Sequence, residues 1–438
     1  MRRPCLRRLF VLFGLLFIGV YATEAPIRYN LHLIGADDMI FVRDFLLVVP
    51  LAVLFVSQAF AFRIHPAYWA FLAIVALHGS ISYFNFHTSV AAVYGAKFLM
   101  PLLFGFFVAR SFTEPKGKVF ATICVLWLVT VIALSLDKFG PNDLFPWAGM
   151  KTTIGDLKVD ISNNWDITSG FYRRVAGLTR SSIDAAMLLP MLALVIAPRC
   201  RWLMRIVMLA ASGAALYFTT QKGGLIIFCC VSSVLLLPRY MWYKSLNALC
   251  LACAAAAVIL PFATQGMLAS TAGGNFSLAS FGMRIQSTWP DAFRWISDNN
   301  VFPFGVGLGG LGGGQRLFAL DMVNAADNIF LFMYGNFGVL ALFYLGWAAC
   351  AGLWLPRFQH EKAHVPLAIL AQNIGYGIVL SMMEGQIAML FTGAALGTLW
   401  LLRKEARASI WSDNFRGERL AVVLGPPPRD ALPGNRPV

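Results

Sequence analysis

The sequence predicts an all-α polytopic membrane protein: about 12 transmembrane helices with two long loops on the outward, periplasmic side. Three observations carry this. Of 438 residues, 58% are hydrophobic and only 13% are charged, with a mean hydropathy of +0.68; a soluble domain carries about 25% charged residues. Apolar runs recur near the length of roughly 20 residues that crosses a bilayer. Lysines and arginines gather in the short loops at one side of those runs, as the positive-inside rule requires.

The elements follow in order. The run 9–22 comes after the basic segment MRRPCLRR. It is short enough for a signal-peptide core, but no A-x-A-like site follows, so it reads as a retained anchor. Spans 41–62, 66–84, 89–110 and 119–136 come next, and then a first long loop, about 137–182. Spans 183–198, 202–219, 223–238 and 246–264 lead to a second long loop, 265–327. Spans 328–354, 365–383 and 386–402 complete the polytopic domain, 1–402. With the N-terminus in the cytoplasm, the loops bearing Arg63, Arg110, Lys116, Lys118, Arg199, Arg201, Arg205, Arg239, Lys244, Arg357 and Lys362 are cytoplasmic. So is the basic tail 403–438, which ends in GPPPRDALPGNRPV and is expected to be disordered. The net charge of +14 is mostly this topology signal, and no basic soluble domain exists to bind nucleic acid.

The eight cysteines fall in spans or on the cytoplasmic side, where disulfides are rare, so none is expected. The six histidines show no metal-ligand spacing, and no metal or cofactor is expected. No internal repeat is visible, which argues against an inverted-repeat transporter.

Structureless loops above about 12–15 residues are functional or disordered. These two carry Trp, Phe, Tyr and Gly, so they are expected to fold against the membrane face. In SFGMRIQSTWPDAFRWI, Met283, Ile285, Trp289, Phe293 and Ile296 recur at helical spacing, which predicts an amphipathic helix on the bilayer surface.

The cations of the outward loops are the first candidate site residues: Arg173, Arg174 and Arg180 before the sixth span, Lys222 in TTQKGG, and Arg284, Arg294 and Arg316 in the second loop. A guanidinium grips phosphate with a planar fork and stays charged. Singly, such residues also anchor loops to lipid headgroups. In FGVGLGGLGGG, Gly305, Gly307 and Gly309 either let backbone N–H groups approach an anion or a sugar, or form a turn. Asp327 in AADNIF either caps the tenth span or serves as an acid–base group. Glu384 in SMMEGQ is a second carboxyl, or a solvated turn residue. Lys97 and the Arg43–Asp44 neighbours lie at span ends, where a local Arg43–Asp44 ion pair suffices as an explanation.

Several of these segments have family counterparts. RRVAGL (173–178), followed by SSIDAA, looks like an Arg-x-x-Gly stretch through Arg174 and Gly177. TTQKGG looks like a Ser-Arg-Gly turn with Lys222 in the Arg place. MRIQSTW and VFPFGVGLGG look like an Arg…Trp…Asn-Pro-x-x-Gly-x-Gly segment, with Arg284, Trp289, Pro303, Gly305, Gly307 and Gly309 on it. Asp327 and Asn328 precede Gly338 by the spacing of a His-Asn…Gly motif. The chain thus resembles the O-antigen polymerase/ligase superfamily, the Wzy- and WaaL-like proteins of the GT-C type, over about 170–345. The resemblance implies a metal-independent glycosyltransferase of the bacterial inner membrane that uses an undecaprenyl-diphosphate-linked glycan and works beside a chain-length regulator and export complex. Asp in place of the ligase His points to a polymerase of repeat units, for exopolysaccharide or O-antigen, ahead of a ligase. On this reading Arg174, Lys222 and Arg284 hold the diphosphate and Asp327 orients or deprotonates the acceptor hydroxyl, with inversion at the anomeric carbon. Arg173, Arg180, Asn328 and Glu384 line the substrate site, and Trp147, Trp165, Trp289 and Trp295 stack on sugars. The rival readings are a transporter or flippase of lipid-linked glycan and a structural partner in an export complex.

Overall fold

The computed structural model describes residues 4–154, 157–163, 174–264, 279–299, 302–319 and 323–424. The helices are α1 (Pro4–Ala22), α2 (Glu24–Leu33), α3 (Val42–Phe60), α4 (Pro66–Phe86), α5 (Ser89–Val108), α6 (Arg110–Thr113) and α7 (Gly117–Phe139). A hairpin, β1 (Lys151–Ile154) and β2 (Leu157–Asp160), precedes α8 (Ser182–Ile196), α9 (Trp202–Phe218), α10 (Lys222–Leu236) and α11 (Arg239–Ala263). Then come α12 (Ala279–Met283), α13 (Trp289–Asp298), α14 (Ile329–Phe337), α15 (Leu340–Ala349), α16 (His360–Tyr376) and α17 (Gln386–Leu424).

The all-α membrane class holds, and the expected count of twelve spans is met in part. Among the described residues, seven helices are long and apolar enough to cross a bilayer, or eight if α1 and α2, bent by 75°, form one broken span. The expected runs coincide with helices, yet α9, α10 and α15 are short. The expected span 328–354 breaks into α14 and α15 at Gly338, whose φ of +60° ends the first helix. Hydropathy misleads here because it cannot tell lipid from protein interior. α8 is 83% and α17 78% buried within the protein, whereas α4 is only 17% buried. α16 is buried throughout from Ala363 to Tyr376 although it carries Gln372 and Asn373. Those amides are satisfied: Gln372 donates to Gly224 O at 3.3 Å, and Asn373 donates to Ala388 O at 3.0 Å.

Close backbone approach joins the central helices. Gly393 and Gly397 of α17 form a Gly-x-x-x-Gly face against Leu102 and Phe106 of α5, and a Cβ at either glycine would overlap their carbonyls. Thr113 and Thr398 add a buried hydroxyl contact of 2.8 Å.

The described parts of both long loops pack against the bundle. The first holds the only strands among the described residues, an antiparallel pair in register Lys151↔Asp160 and Ile154↔Leu157. It is an addition to the expected all-α fold. A small core of Ala25, Phe145, Trp147 and Ile161 seats it on α2. In the second loop the expected amphipathic helix exists as α12 and α13, but it faces protein more than bilayer. Trp289 is fully buried and Ile285 nearly so, while Met283 is exposed. A π-helical turn, Arg284–Thr288, joins the two pieces. Pro290, just beyond, has no N–H for an α-helical bond back to Gln286, so the ladder widens there. Within the tail 403–438, α17 runs on to Leu424, and residues 425–438, where the disorder is expected too, lie outside the described residues.

Candidate active site

Four of the singled-out residues converge where the ends of α7, α8, α10, α14 and α16 meet: Arg174, Lys222, Arg284 and Asp327. The segment after Arg174 is fixed first. The backbone N–H groups of Ala176 and Gly177 donate to Asp137 Oδ2 at 2.9 and 2.8 Å. Gly177 holds a φ of +60°, and a Cβ there would lie 3.1 Å from Leu134 N, so both conformation and space exclude a side chain. Arg174 is half-buried, and its Nε has no hydrogen-bond partner among the described residues. Burial, then the neighbouring Arg284, push its guanidinium below its ordinary range. Lys222 lies within electrostatic reach of Arg174.

Arg284 projects from the π turn. Its Nη1 donates to Ser280 O at 2.9 Å, and its Nη2 lies 3.2 Å from Asp327 Oδ2. Its Nε is also buried without a partner among the described residues. Asp327 and Ala326 both sit in the left-handed region, φ +42° and +57°, a conformation non-glycine residues seldom hold. Neighbours impose it. Asn324 donates to Thr288 O at 3.0 Å and accepts from Ala326 N at 2.6 Å, while the Trp289 indole N–H points to Asp327 O at 3.4 Å. Burial raises the Asp327 carboxyl above its usual range, and Arg284 opposes that rise.

The two readings of Asp327 separate here. The cap of α14 is Asn328, whose Oδ1 accepts from Leu331 N at 2.9 Å. Its amide donates to Ala257 O at 3.1 Å and Ile378 O at 3.0 Å. Asn328 is fully buried and spent on the fold, a correction to its place among substrate contacts. Asp327 is thereby left to Arg284.

Glu384 is no solvated turn residue. Its Oε1 accepts from Gly313 N at 2.5 Å, under the end of the glycine run. Burial pushes its carboxyl up to about 7, and Asp327 adds to the rise while Arg316 opposes it. Tyr94 shares the electrostatic surroundings of Glu384, Arg316 and Arg180. Tyr376 was not singled out from the sequence, yet its hydroxyl donates to Gln221 Oε1 at 3.1 Å and it lies within reach of Arg284, Asp327 and Arg174. The only sequence signal for it was a polar tip at the end of a helix. The paired glycines of TTQKGG permit this, since Gly224 packs directly on its ring.

Other expected contacts are structural. Gly305, Gly307 and Gly309 are buried, and a Cβ at each would strike backbone: at Gly338, Ser82 and Ala91, respectively. The run is a packing wedge between α4, α5 and α14, so its glycines serve close approach of protein to protein. Trp289 and Trp147 are buried, and Trp295 stacks on Phe86 and donates to Gly310 O at 3.0 Å, so none of the three is free for a sugar. Arg173 and Trp165 lie outside the described residues.

Arg180 belongs to an adjoining cluster. It pairs with Asp184 at 3.2 Å, and Asp184 also accepts from Tyr21 at 2.6 Å. Asp184 and, further off, Glu24 hold the Arg180 guanidinium above its ordinary range. The expected Arg43–Asp44 pair is displaced: Lys97 lies 2.5 Å from Asp44, and Arg43 turns to Glu24. Asp44 at 3.8 Å is only a distant partner of Arg43. Neighbouring positions in a helix turn point in different directions, so adjacency in sequence did not decide the pairing.

Among the described residues no group of His, Cys, Asp and Glu is arranged to hold a metal ion. No known protein family, curated protein or solved structure matches the chain.

Proposed function

We propose that this chain is a membrane glycosyltransferase that polymerises undecaprenyl-diphosphate-linked repeat units at the periplasmic face, in the manner of the family its motifs resemble. The observation that carries the reading is the cluster of Arg174 with Lys222 and Arg284, in which Arg284 pairs with the carboxylate of Asp327. Arg174 is repelled by Arg284 and in turn repels Lys222, and Asp327 pairs with Arg284. Such a cluster of cations suits an anionic group, and a diphosphate fits it through bidentate guanidinium bonds. The finer topology belongs to this proposal: the site faces the periplasm, both termini lie in the cytoplasm, and α9, α10, α14–α15 and α16 complete the multi-pass domain.

In this reading the acceptor sugar hydroxyl attacks the donor's anomeric carbon. The bond from that carbon to the diphosphate oxygen breaks, and undecaprenyl diphosphate leaves with the electron pair. Arg174, Lys222 and Arg284 stabilise the charge that develops on it. The hydroxyl proton passes to a carboxylate. Asp327, expected from its motif to take it, is engaged with Arg284 and fits better as the residue that positions that guanidinium. Glu384, held by one backbone N–H and titrating near neutrality, fits the proton acceptor.

The test is the lipid-linked and secreted glycan of a strain deleted for this gene. Single repeat units accumulating on the carrier, with polymer lost, support the polymerase. Full-length polymer stranded on the carrier would replace it with a ligase. Units trapped on the cytoplasmic face would replace it with a flippase.

A further inference from the structure

At the opposite end of the bundle, the turn before α9 and the turn before α11 line an open, shallow cavity of about 450 Å³. It is lined by Cys200, Arg201, Trp202, Arg205, Leu237 and Arg239, among others, and no acidic side chain lines it. The floor is built by Arg205, which is buried and spends all three guanidinium nitrogens on carbonyls. Nε donates to Ala197 O at 3.1 Å, Nη1 to Leu235 O at 3.0 Å and Nη2 to Cys200 O at 3.2 Å. Those bonds tie the turn before α9 to the last turn of α10, and the Trp242 ring covers the guanidinium at 4.7 Å. The cavity is therefore a fixed feature of the fold.

Two further arginines stand at its mouth with different duties. Arg201 is exposed. Arg239 is exposed too, and among the described residues it makes a long bond of 3.5 Å to Pro198 O and rests an edge on Trp242. The rim is apolar and interfacial: Trp202, Leu203, Met204 and Tyr240 are more than half exposed, and Leu236 and Leu237 more than a third. A free anion in water needs no such rim. An amphiphile does, because its phosphate meets the guanidinium forks while its chains run along the leucines. The N-termini of α9 and α11 lie at the same mouth without side-chain caps and add partial positive charge.

We propose that this cavity is a binding site for the phosphodiester headgroup of an anionic phospholipid, held by Arg201 and Arg239. The site is separate from the polar end of the bundle and does not depend on the glycosyltransferase reading.

The purified full chain in zwitterionic detergent is titrated with short-chain phosphatidylglycerol, with phosphatidylcholine of the same chains and with inorganic phosphate, and occupancy is read by native mass spectrometry. Phosphatidylglycerol is expected to bind well ahead of the other two. The double variant Arg201→Gln, Arg239→Gln should weaken it about thirtyfold, at roughly a tenfold factor or less per surface cation. Equal binding of phosphatidylcholine would overturn the proposal, because it would show apolar adhesion alone. So would phosphate binding as tightly as the lipid. Unchanged phosphatidylglycerol binding in the double variant would place the lipid elsewhere. The headgroup comparison on the unaltered chain needs no variant and stands even if the substitutions prevent folding.

Discussion

Arg284 Nη2 and Asp327 Oδ2 lie 3.2 Å apart, joining the π turn after α12 to the left-handed residue before α14. The pair ties together two distant parts of the second long loop. It holds an arginine whose Nε has no other bond among the described residues, beside a second arginine, Arg174, that repels it. Two guanidinium groups held close at partial burial repel one another, and Asp327 offsets part of that repulsion.

Substituting Arg284→Ala should lower polymer formation at least a hundredfold, the scale of losing a preorganised charge at a leaving group. Asp327→Asn should lower it less, since the arginine remains but is less well aimed. Arg284→Ala should also lose stability by about 1–3 kcal/mol, because it leaves the half-buried Asp327 carboxylate unpaired, whereas Asp327→Asn keeps an acceptor for Arg284 and should lose less. In vivo polymer length on gels, with a thermal melt of the purified variants, separates the two effects. Normal polymer from Arg284→Ala removes the diphosphate role.

Glu384 sets the pH dependence. Its folded value of about 7 lies above the ordinary 4.5, so the folded chain binds this proton more tightly than the unfolded chain. The ionised form costs stability: nothing below about pH 4.5, increasingly between 4.5 and 7, and fully above 7. Glu384→Gln keeps an acceptor for Gly313 and should raise the melting temperature at pH 8 but not at pH 4, with a ceiling of about 3 kcal/mol. If Glu384 accepts the hydroxyl proton, activity in membranes rises with pH through about 7, and the Gln variant loses that rise with most of the rate. A rate profile flat from pH 6 to 8 would take the role from it.

Asn328→Ala removes a cap and two buried donors at once. The expected loss is about 2–4 kcal/mol. Asn328→Asp keeps the bond to Leu331 N but places a carboxylate against Ala257 O and Ile378 O, and it should melt no higher than the Ala variant. Melting in detergent checks both. An Asn328→Ala protein of native stability and lost activity would return Asn328 to the substrate site.

Gly309→Ala tests whether the glycine run meets substrate or protein. A methyl group there overlaps the Ala91 carbonyl of α5, so the variant should be poorly expressed or melt well below the unaltered chain. Normal melting with weakened substrate binding would support the ligand reading instead.

The membrane class, the places of the helices and the identity of the cationic segments were legible in the sequence. Each rests on local composition: apolar length, the distribution of Lys and Arg, and charge set among glycines and aromatics. Arg174, Lys222, Arg284 and Asp327 could be picked out because polar residues at span ends are few. Only the tertiary structure decided what each one touches. It made Asn328 the cap and left Asp327 to Arg284, it gave Asp44 to Lys97, and it buried Trp289 and the glycines of 305–309 against neighbouring helices. It also divided the helices between a buried centre and a lipid-facing rim. The physical reason is common to all of these. Hydropathy measures transfer out of water and is nearly blind to whether lipid or protein receives the side chain. The choice among chemically equal partners is made by backbone geometry across segments distant in sequence.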